Sequence, residues 1–348
     1  VPGKPSRGRR LSLAGAATGL VAAGGLVAAY LTQHRLAHKA KAAAQASAEQ
    51  AAGLAVPEDV VHHRVTLDDG GSAHVLERGT GQPIVLLHGI TLAARVWGSQ
   101  LALLGEHHRV LALDLRGHGE STPGRDGFSG GMSRLADDVR QVLDALAVER
   151  AVLVGHSMGG MVALQLLVDA DPDWRERRVA ALALVDTSAA PTAGWPGGGR
   201  LQGPVSALGA RAVLLAQRLG MAAAPSADIR WWAARGAFGP DPDPVQVAMT
   251  DQLAEATPME TLAHLLPVLA RFDLTERLVE VEVPALVVVG THDHLTPPSH
   301  ARRLAEGLPR AELVELPRAG HMPMLERPRE LARLLAELAS GVPQPGGR

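Results

Sequence analysis

The sequence predicts an α/β fold: an eight-stranded, mostly parallel, doubly wound sheet with an inserted helical lid. Three observations carry this prediction. Apolar extended segments alternate with helical periodicities along most of the chain, as a parallel sheet covered on both faces requires. One such segment runs into Gly155-His156-Ser157-Met158-Gly159-Gly160, a serine set between glycines where a strand gives way to a helix. The alternation then stops between Asp186 and Pro284, where helical patterns follow one another.

Residues 1–56 read as a separate unit. Lys4, Arg7, Arg9 and Arg10 precede Leu11 to Leu31, a stretch of 21 uncharged residues followed by Arg35, Lys39 and Lys41. That length spans a bilayer as a helix. The flanks, and the likeness of Arg9-Arg10-Leu11-Ser12-Leu13 to a twin-arginine export signal, predict one of two fates. The stretch is either a retained anchor, with the rest of the chain outside the cytoplasmic membrane, or a cleaved export signal. Gly15, Gly19, Gly24 and Gly25 keep it only mildly apolar, so an Ala-rich helix that does not insert stays open. Residues 32–56 read as a helical spacer.

Strands are expected near 61–67, 73–78, 83–87, 109–113, 151–154, 180–185, 284–290 and 311–316. Asp68-Asp69-Gly70-Gly71 turns the first two into an antiparallel start. Leu135, Val139, Val142, Leu143 and Leu146 recur at helical spacing, as do Leu331, Leu334, Leu335 and Leu338. The core therefore occupies 57–188 and 282–340. It brackets a helical lid at 189–281 that opens on a Pro/Gly linker and carries helix-like runs near 205–220, 226–236, 244–256 and 258–271. Residues 341–348 are a loose tail.

The serine motif has the pattern of a nucleophile elbow. Gly155 and Gly159 lack a β-carbon, so strand and helix can approach closely there. A hydroxyl needs a base, commonly histidine, and the base needs an orienting carboxylate. Two downstream loops supply them. Asp293 follows the strand ending at Gly290, and His321 follows the next strand, after Gly320. Loops at the carboxyl ends of parallel strands gather on one edge of a sheet. Ser157, His321 and Asp293 are thus the candidate nucleophile, base and acid. Asp186, after the preceding strand, is the alternative acid. His292 and His294 flank Asp293, but no third ligand set accompanies them, and no metal site is expected. The strand ending at Leu87 leads to His88-Gly89-Ile90-Thr91. Gly89 lets the backbone turn the N–H of Ile90 toward the elbow, where it and the N–H of Met158 are the candidate oxyanion donors. His88 reads as a structural hydrogen-bonding residue.

Composition sets limits. The 348 residues are 46% hydrophobic and 20% charged, with a net charge of −2. That balance fits a globular protein with a sizeable core and offers no basic surface for nucleic acid. The absence of cysteine excludes disulfides, thiolate metal sites and a thiol nucleophile.

Five segments in order resemble the α/β-hydrolase superfamily, in its serine-nucleophile, lidded esterase and haloperoxidase-like branch. They are Leu87-His88-Gly89-Ile90, Asp114-Leu115-Arg116-Gly117-His118-Gly119-Glu120-Ser121, Gly155-His156-Ser157-Met158-Gly159-Gly160, Gly290-Thr291-His292-Asp293 and Gly320-His321-Met322-Pro323. The likeness covers about residues 60–340. It implies the α/β-hydrolase fold and hydrolysis of a small carboxylic ester or related acyl compound through an acyl-serine, with no cofactor or metal. Family members also carry out perhydrolysis, haloperoxidation and C–C bond hydrolysis with the same three residues, so those readings stay open. A binding protein on this scaffold would be expected to have lost part of the set. In the loop from Asp114 to Ser121, Asp114 and Arg116 are expected to pin loops rather than do chemistry.

Overall fold

The structure, a computed structural model, describes residues 55–191 and 227–342. The apolar stretch 11–31 and the helix expected at 205–220 lie outside these residues. So do almost all of the spacer, the linker at 192–199 and most of the tail. Among the described residues no helix is long and apolar enough to cross a membrane.

Eight strands form one sheet: β1 (Val61–Thr66), β2 (Ser72–Arg78), β3 (Pro83–Leu87), β4 (Arg109–Leu113), β5 (Ala151–His156), β6 (Val179–Val185), β7 (Ala285–Gly290) and β8 (Ala311–Leu316). Their spatial order is β1-β2-β4-β3-β5-β6-β7-β8. β2 pairs antiparallel with both β1 and β4, and every other pairing is parallel. The helices are α1 (Gly98–Leu104), α2 (Gly131–Ala145), α3 (Met158–Asp169), α4 (Pro172–Arg178), α5 (Ala227–Gly236), α6 (Pro244–Ala256), α7 (Met259–Leu269), α8 (Pro298–Gly307), α9 (Pro323–Glu326) and α10 (Pro328–Ser340). The described part of the segment between β6 and β7 carries α5, α6 and α7, joined by loops.

The central strands are apolar on both faces because both faces are covered. Along β3, Val85 and Leu87 join one core while Ile84 and Leu86 join the other. β5 divides the same way, with Leu153 on the first face and Val152 and Val154 on the second. The first core is closed by α2 and α3 through Leu135, Val139, Val162 and Leu166. The second is closed by Trp97, Leu101 of α1 and Leu331 and Leu335 of α10. β1 and β8 are the sheet's borders, and their burial is broken by exposed and half-exposed side chains, as edge strands require.

A buried ion-pair network ties the β1–β2 turn to this framework. Both guanidinium and carboxylate of Arg116 and Asp69 are fully buried, and they meet at 2.8 Å. Arg116 also grips Asp138 of α2 through Nε and Nη2, at 2.6 and 2.8 Å, and donates to the Gly127 carbonyl. The expected pinning role of Arg116 is therefore seen. Asp69, which reads in the sequence as a turn residue, is one of its two anchors.

The hydrogen bond from Arg116 holds the Asp69 carboxyl well below the usual carboxylate range, with a smaller contribution from the Gly71 N–H. A carboxyl lowered in the folded state stabilises above its unfolded pKa of about 3.9, and that stabilisation is lost as pH falls through and below it. Asp69→Asn is expected to lose about 3 kcal/mol in urea unfolding at neutral pH. The gap to wild type should narrow as the buffer is acidified below about pH 4.

Candidate active site

All three candidate side chains stand on loops at the carboxyl ends of parallel strands. β5 delivers Ser157, β7 delivers Asp293 and β8 delivers His321. Ser157 sits at φ +52°, ψ −119°, a conformation that L residues rarely adopt and that marks stored strain. It persists because its surroundings fix it. The Ser157 N–H donates to the Val185 carbonyl at 3.0 Å, and the Thr187 hydroxyl donates to the Ser157 carbonyl at 2.6 Å. A β-carbon on Gly155 would stand 2.4 Å from the Gly159 carbonyl oxygen and 2.5 Å from the Gly160 α-carbon. Only backbone fits there. Ser157 itself is half-buried while its neighbours on both sides are buried, so its hydroxyl is reachable.

His321 Nδ1 donates to Asp293 Oδ2 at 2.8 Å, in a buried pair. Asp293 is held on every side. Its Oδ1 accepts from the N–H groups of Leu295 and Thr296, at 2.7 and 3.1 Å, and its Oδ2 accepts from the Thr296 hydroxyl at 2.7 Å. Burial opposes charge on Asp293. The charge and hydrogen bond of His321, with the hydrogen bond from Thr296, outweigh burial and keep the carboxyl well below its usual range. The His292 and His294 side chains are exposed while Asp293 is buried.

The His321 loop is fixed from two further directions. His156, beside the serine, donates Nε2–H to the His321 carbonyl at 2.7 Å, with the rings 4.8 Å apart. Burial, reinforced by His321, pushes His156 far down, so it is neutral. Glu326 Oε1 accepts from the N–H groups of Gly320 and Met322, on either side of His321. Ser157 Oγ makes no hydrogen bond with the described residues. Base and nucleophile lie on adjoining loops, and such contacts often tighten only when substrate is bound.

Across from the serine, Gly89 packs so closely that a β-carbon on it would stand 2.9 Å from His156 Nδ1 and 3.0 Å from the Ser157 β-carbon. The loop carrying Ile90 therefore lies against the elbow. Met158 opens α3, so its N–H has no intrahelical acceptor. His88 accepts from the Leu115 N–H at 3.0 Å and donates to the Gly89 carbonyl at 2.7 Å. Burial lowers its pKa, which leaves it a neutral pin between two loops. Asp114 is a second pin, accepting from the N–H groups of Ala94 and Glu120 and from His74.

Thr187, Thr296, Glu326 and Asp186 are parts of the site that the sequence did not reveal in these roles. Thr296 had a faint signal. An Asp followed three residues later by Thr, in a loop, is a local capping pattern.

Among the described residues two groups offer three donor atoms close enough for a metal ion. One is Asp186, Asp293 and His321. The other is His62, His74 and Glu120, where the atoms already have protein partners. His74 bridges Asp114 and His62, at 2.8 and 2.9 Å, and Glu120 is paired with Arg64.

A doubly wound sheet with an elbow serine and a buried acid–histidine pair at its carboxyl rim defines a hydrolase of the α/β type. Residues 84–334 match the alpha/beta hydrolase family, and the chain belongs to that family. It is 34% identical over 270 residues to the provisionally named carbamate hydrolase RutD of Variovorax paradoxus (strain S110), covering 76% of this chain and 94% of the relative. A thermophilic esterase from Thermogutta terrifontis superposes with a TM-score of 0.65 at 28% identity, covering 80% of this chain and 97% of that one. The enol-lactonase of Burkholderia xenovorans LB400 gives 0.65 at 26%, covering 80% and 100%.

The elbow's tolerance is directly testable. Gly155→Ala should cost about 3 kcal/mol of stability, because the added methyl meets backbone that has nowhere to go. Gly236→Ala, with nothing within 4 Å of the new methyl, should stay within about 0.5 kcal/mol of wild type. Thermal melts of the two variants check both values.

Proposed function

We propose that the protein is a serine hydrolase that cleaves a small carboxylic ester, open-chain or lactone, through an acyl-serine intermediate. The observation that carries this reading is the buried 2.8 Å bond between His321 and Asp293, beside a strained, reachable serine. Ser157 Oγ attacks the carbonyl carbon as His321 Nε2 takes its proton. The N–H groups of Ile90 and Met158 receive the negative charge on the carbonyl oxygen. Collapse of that intermediate expels the alkoxide, which His321 protonates. Water then attacks the acyl-serine, with His321 again as base, and releases the acid. Asp293 keeps Nδ1 protonated, so Nε2 is the basic nitrogen, and it stabilises the imidazolium formed at each stage. The reading agrees with relatives named for ester and lactone cleavage.

The described helices between β6 and β7 fit a lid in this reading, since their end touches the His321 loop. The His321 N–H donates to the Ala237 carbonyl. The charge pattern around residues 11–31 supports a membrane-anchored or exported enzyme.

Ser157→Ala is expected to abolish labelling by a fluorophosphonate probe, and labelling that persists would refute the role of Ser157. Asp293→Asn should lower turnover of p-nitrophenyl esters by about 10⁴. A bromide-oxidation rate in acetate and peroxide that exceeded ester turnover would favour perhydrolysis instead. Fractionation of cells expressing the full chain should place it in the membrane or outside it. Full-length enzyme in the cytoplasmic fraction would overturn that placement.

A further inference from the structure

Asp186 follows β6 and lies beside the acid–histidine pair. It is fully buried and sits at φ +43°, held by a bond from its own N–H to the Val288 carbonyl. Its Oδ1 accepts from the Gly290 N–H at 2.9 Å. No N–H or O–H of the described residues reaches its Oδ2, which is sealed from solvent. Oxygen atoms of Asp186 and Asp293 and a ring nitrogen of His321 lie within 4.8 Å of one another.

Two carboxyl groups facing each other in a dry pocket cannot both be charged. Counting donors decides which one holds the proton. Asp293 receives four hydrogen bonds, from Leu295 N, Thr296 N, Thr296 Oγ1 and His321 Nδ1. Asp186 receives one. The negative charge belongs on the better-solvated group. The free oxygen of Asp186, which has no donor, is where a proton would sit. A protonated carboxyl is itself a donor, and the adjacent acceptor is Asp293.

We propose that Asp186 is a positioning residue that acts as a neutral carboxylic acid, donating its O–H to Asp293 and so holding that carboxylate aimed at His321. This rests on the serine-hydrolase reading for its catalytic consequence, but not for the state of the pair. No proton is transferred in the cycle, because Asp186 keeps its own. Burial, followed by the facing Asp293, raises the Asp186 carboxyl well above its usual range, with Glu326 adding slightly and the Gly290 N–H opposing. The other titratable groups around the pair are His321, His156 and His300.

Asp186→Asn is the decisive variant. An amide copies a neutral acid: its N–H₂ donates to Asp293 while its oxygen still accepts from Gly290. The full chain with Asp186→Asn should retain most of the turnover that Asp186→Ala loses, with the acid limb of its pH–rate profile unmoved. Asp186→Ala removes the donor and should lose about 10- to 100-fold in kcat at nearly constant KM. Infrared difference spectra between wild type and Asp186→Asn read the same claim without turnover. A protonated-acid C=O band at neutral pH, sensitive to D₂O, should be present in wild type and absent from the variant. Absence of that band, or an inactive but folded Asp186→Asn enzyme, would show that Asp186 is charged and overturn the proposal. Folded Asp186→Ala with unchanged kcat would also overturn it. If the band is present but wild type resists the fluorophosphonate probe, the serine-hydrolase reading fails while the neutral acid stands.

Discussion

The rim of this sheet depends on backbone packed against backbone where other proteins place side chains. A β-carbon on Gly159 would lie 2.3 Å from the Leu87 carbonyl oxygen, and one on Gly290 would lie 2.1 Å from that of Gly320. These contacts draw the ends of β3 and β5 together at one place and those of β7 and β8 at another. The loops that carry Ile90, Ser157, Asp293 and His321 inherit their separations from them. Rotamer choice then matters less than main-chain geometry. A site built this way is stiff, as pre-organised electrostatics demand.

Stiffness comes with dehydration, and dehydration sorts the charges. His88, His118 and His156 are all buried, and burial drives each below the ordinary histidine range, His118 to about 3. They serve as neutral hydrogen-bonding struts. The buried carboxyl groups divide in the opposite sense. Asp293 and Asp69 remain charged because each meets a cation or several donors. In a medium where an unpaired charge is expensive, the number of donors around each oxygen decides which group ionises.

The strands were legible in the sequence because their cause is local. A strand covered on both faces must be apolar at nearly every position, and Ile84 to Leu87, Val110 to Leu113 and Val152 to Val154 are. The strand ends were less so: β5 continues through Gly155 and His156 into the elbow, past the apolar run that signals it. Ser157, Asp293 and His321 stood out because each follows a strand in a loop rich in glycine or polar residues. Asp186 followed a strand equally well, and only the fold shows that His321 bonds to Asp293. Thr187 and Glu326 had no sequence signal at all. They bond to backbone atoms 30 and 6 residues away, and nothing in a helix or loop pattern encodes such a partner. Asp69 was hidden differently: Asp-Gly explains a turn so fully that a second role, under Arg116, left no trace.

The same geometry ties the helical stretch to the His321 loop. The segment after α5 is part of the helical stretch between β6 and β7, yet it touches the base directly. The Ala237 carbonyl accepts the His321 N–H at 2.6 Å, and the Gly239 N–H donates to Glu326, whose other oxygen braces the backbone on both sides of His321. A β-carbon on Gly320 would strike the Gly239 nitrogen at 2.4 Å. A displacement of α5 would therefore be transmitted to the histidine within two hydrogen bonds. Because those bonds hold the His321 backbone, a shift of the segment after α5 would shift His321 as well, and in the proposed reaction misplacement of about 1 Å costs catalysis steeply.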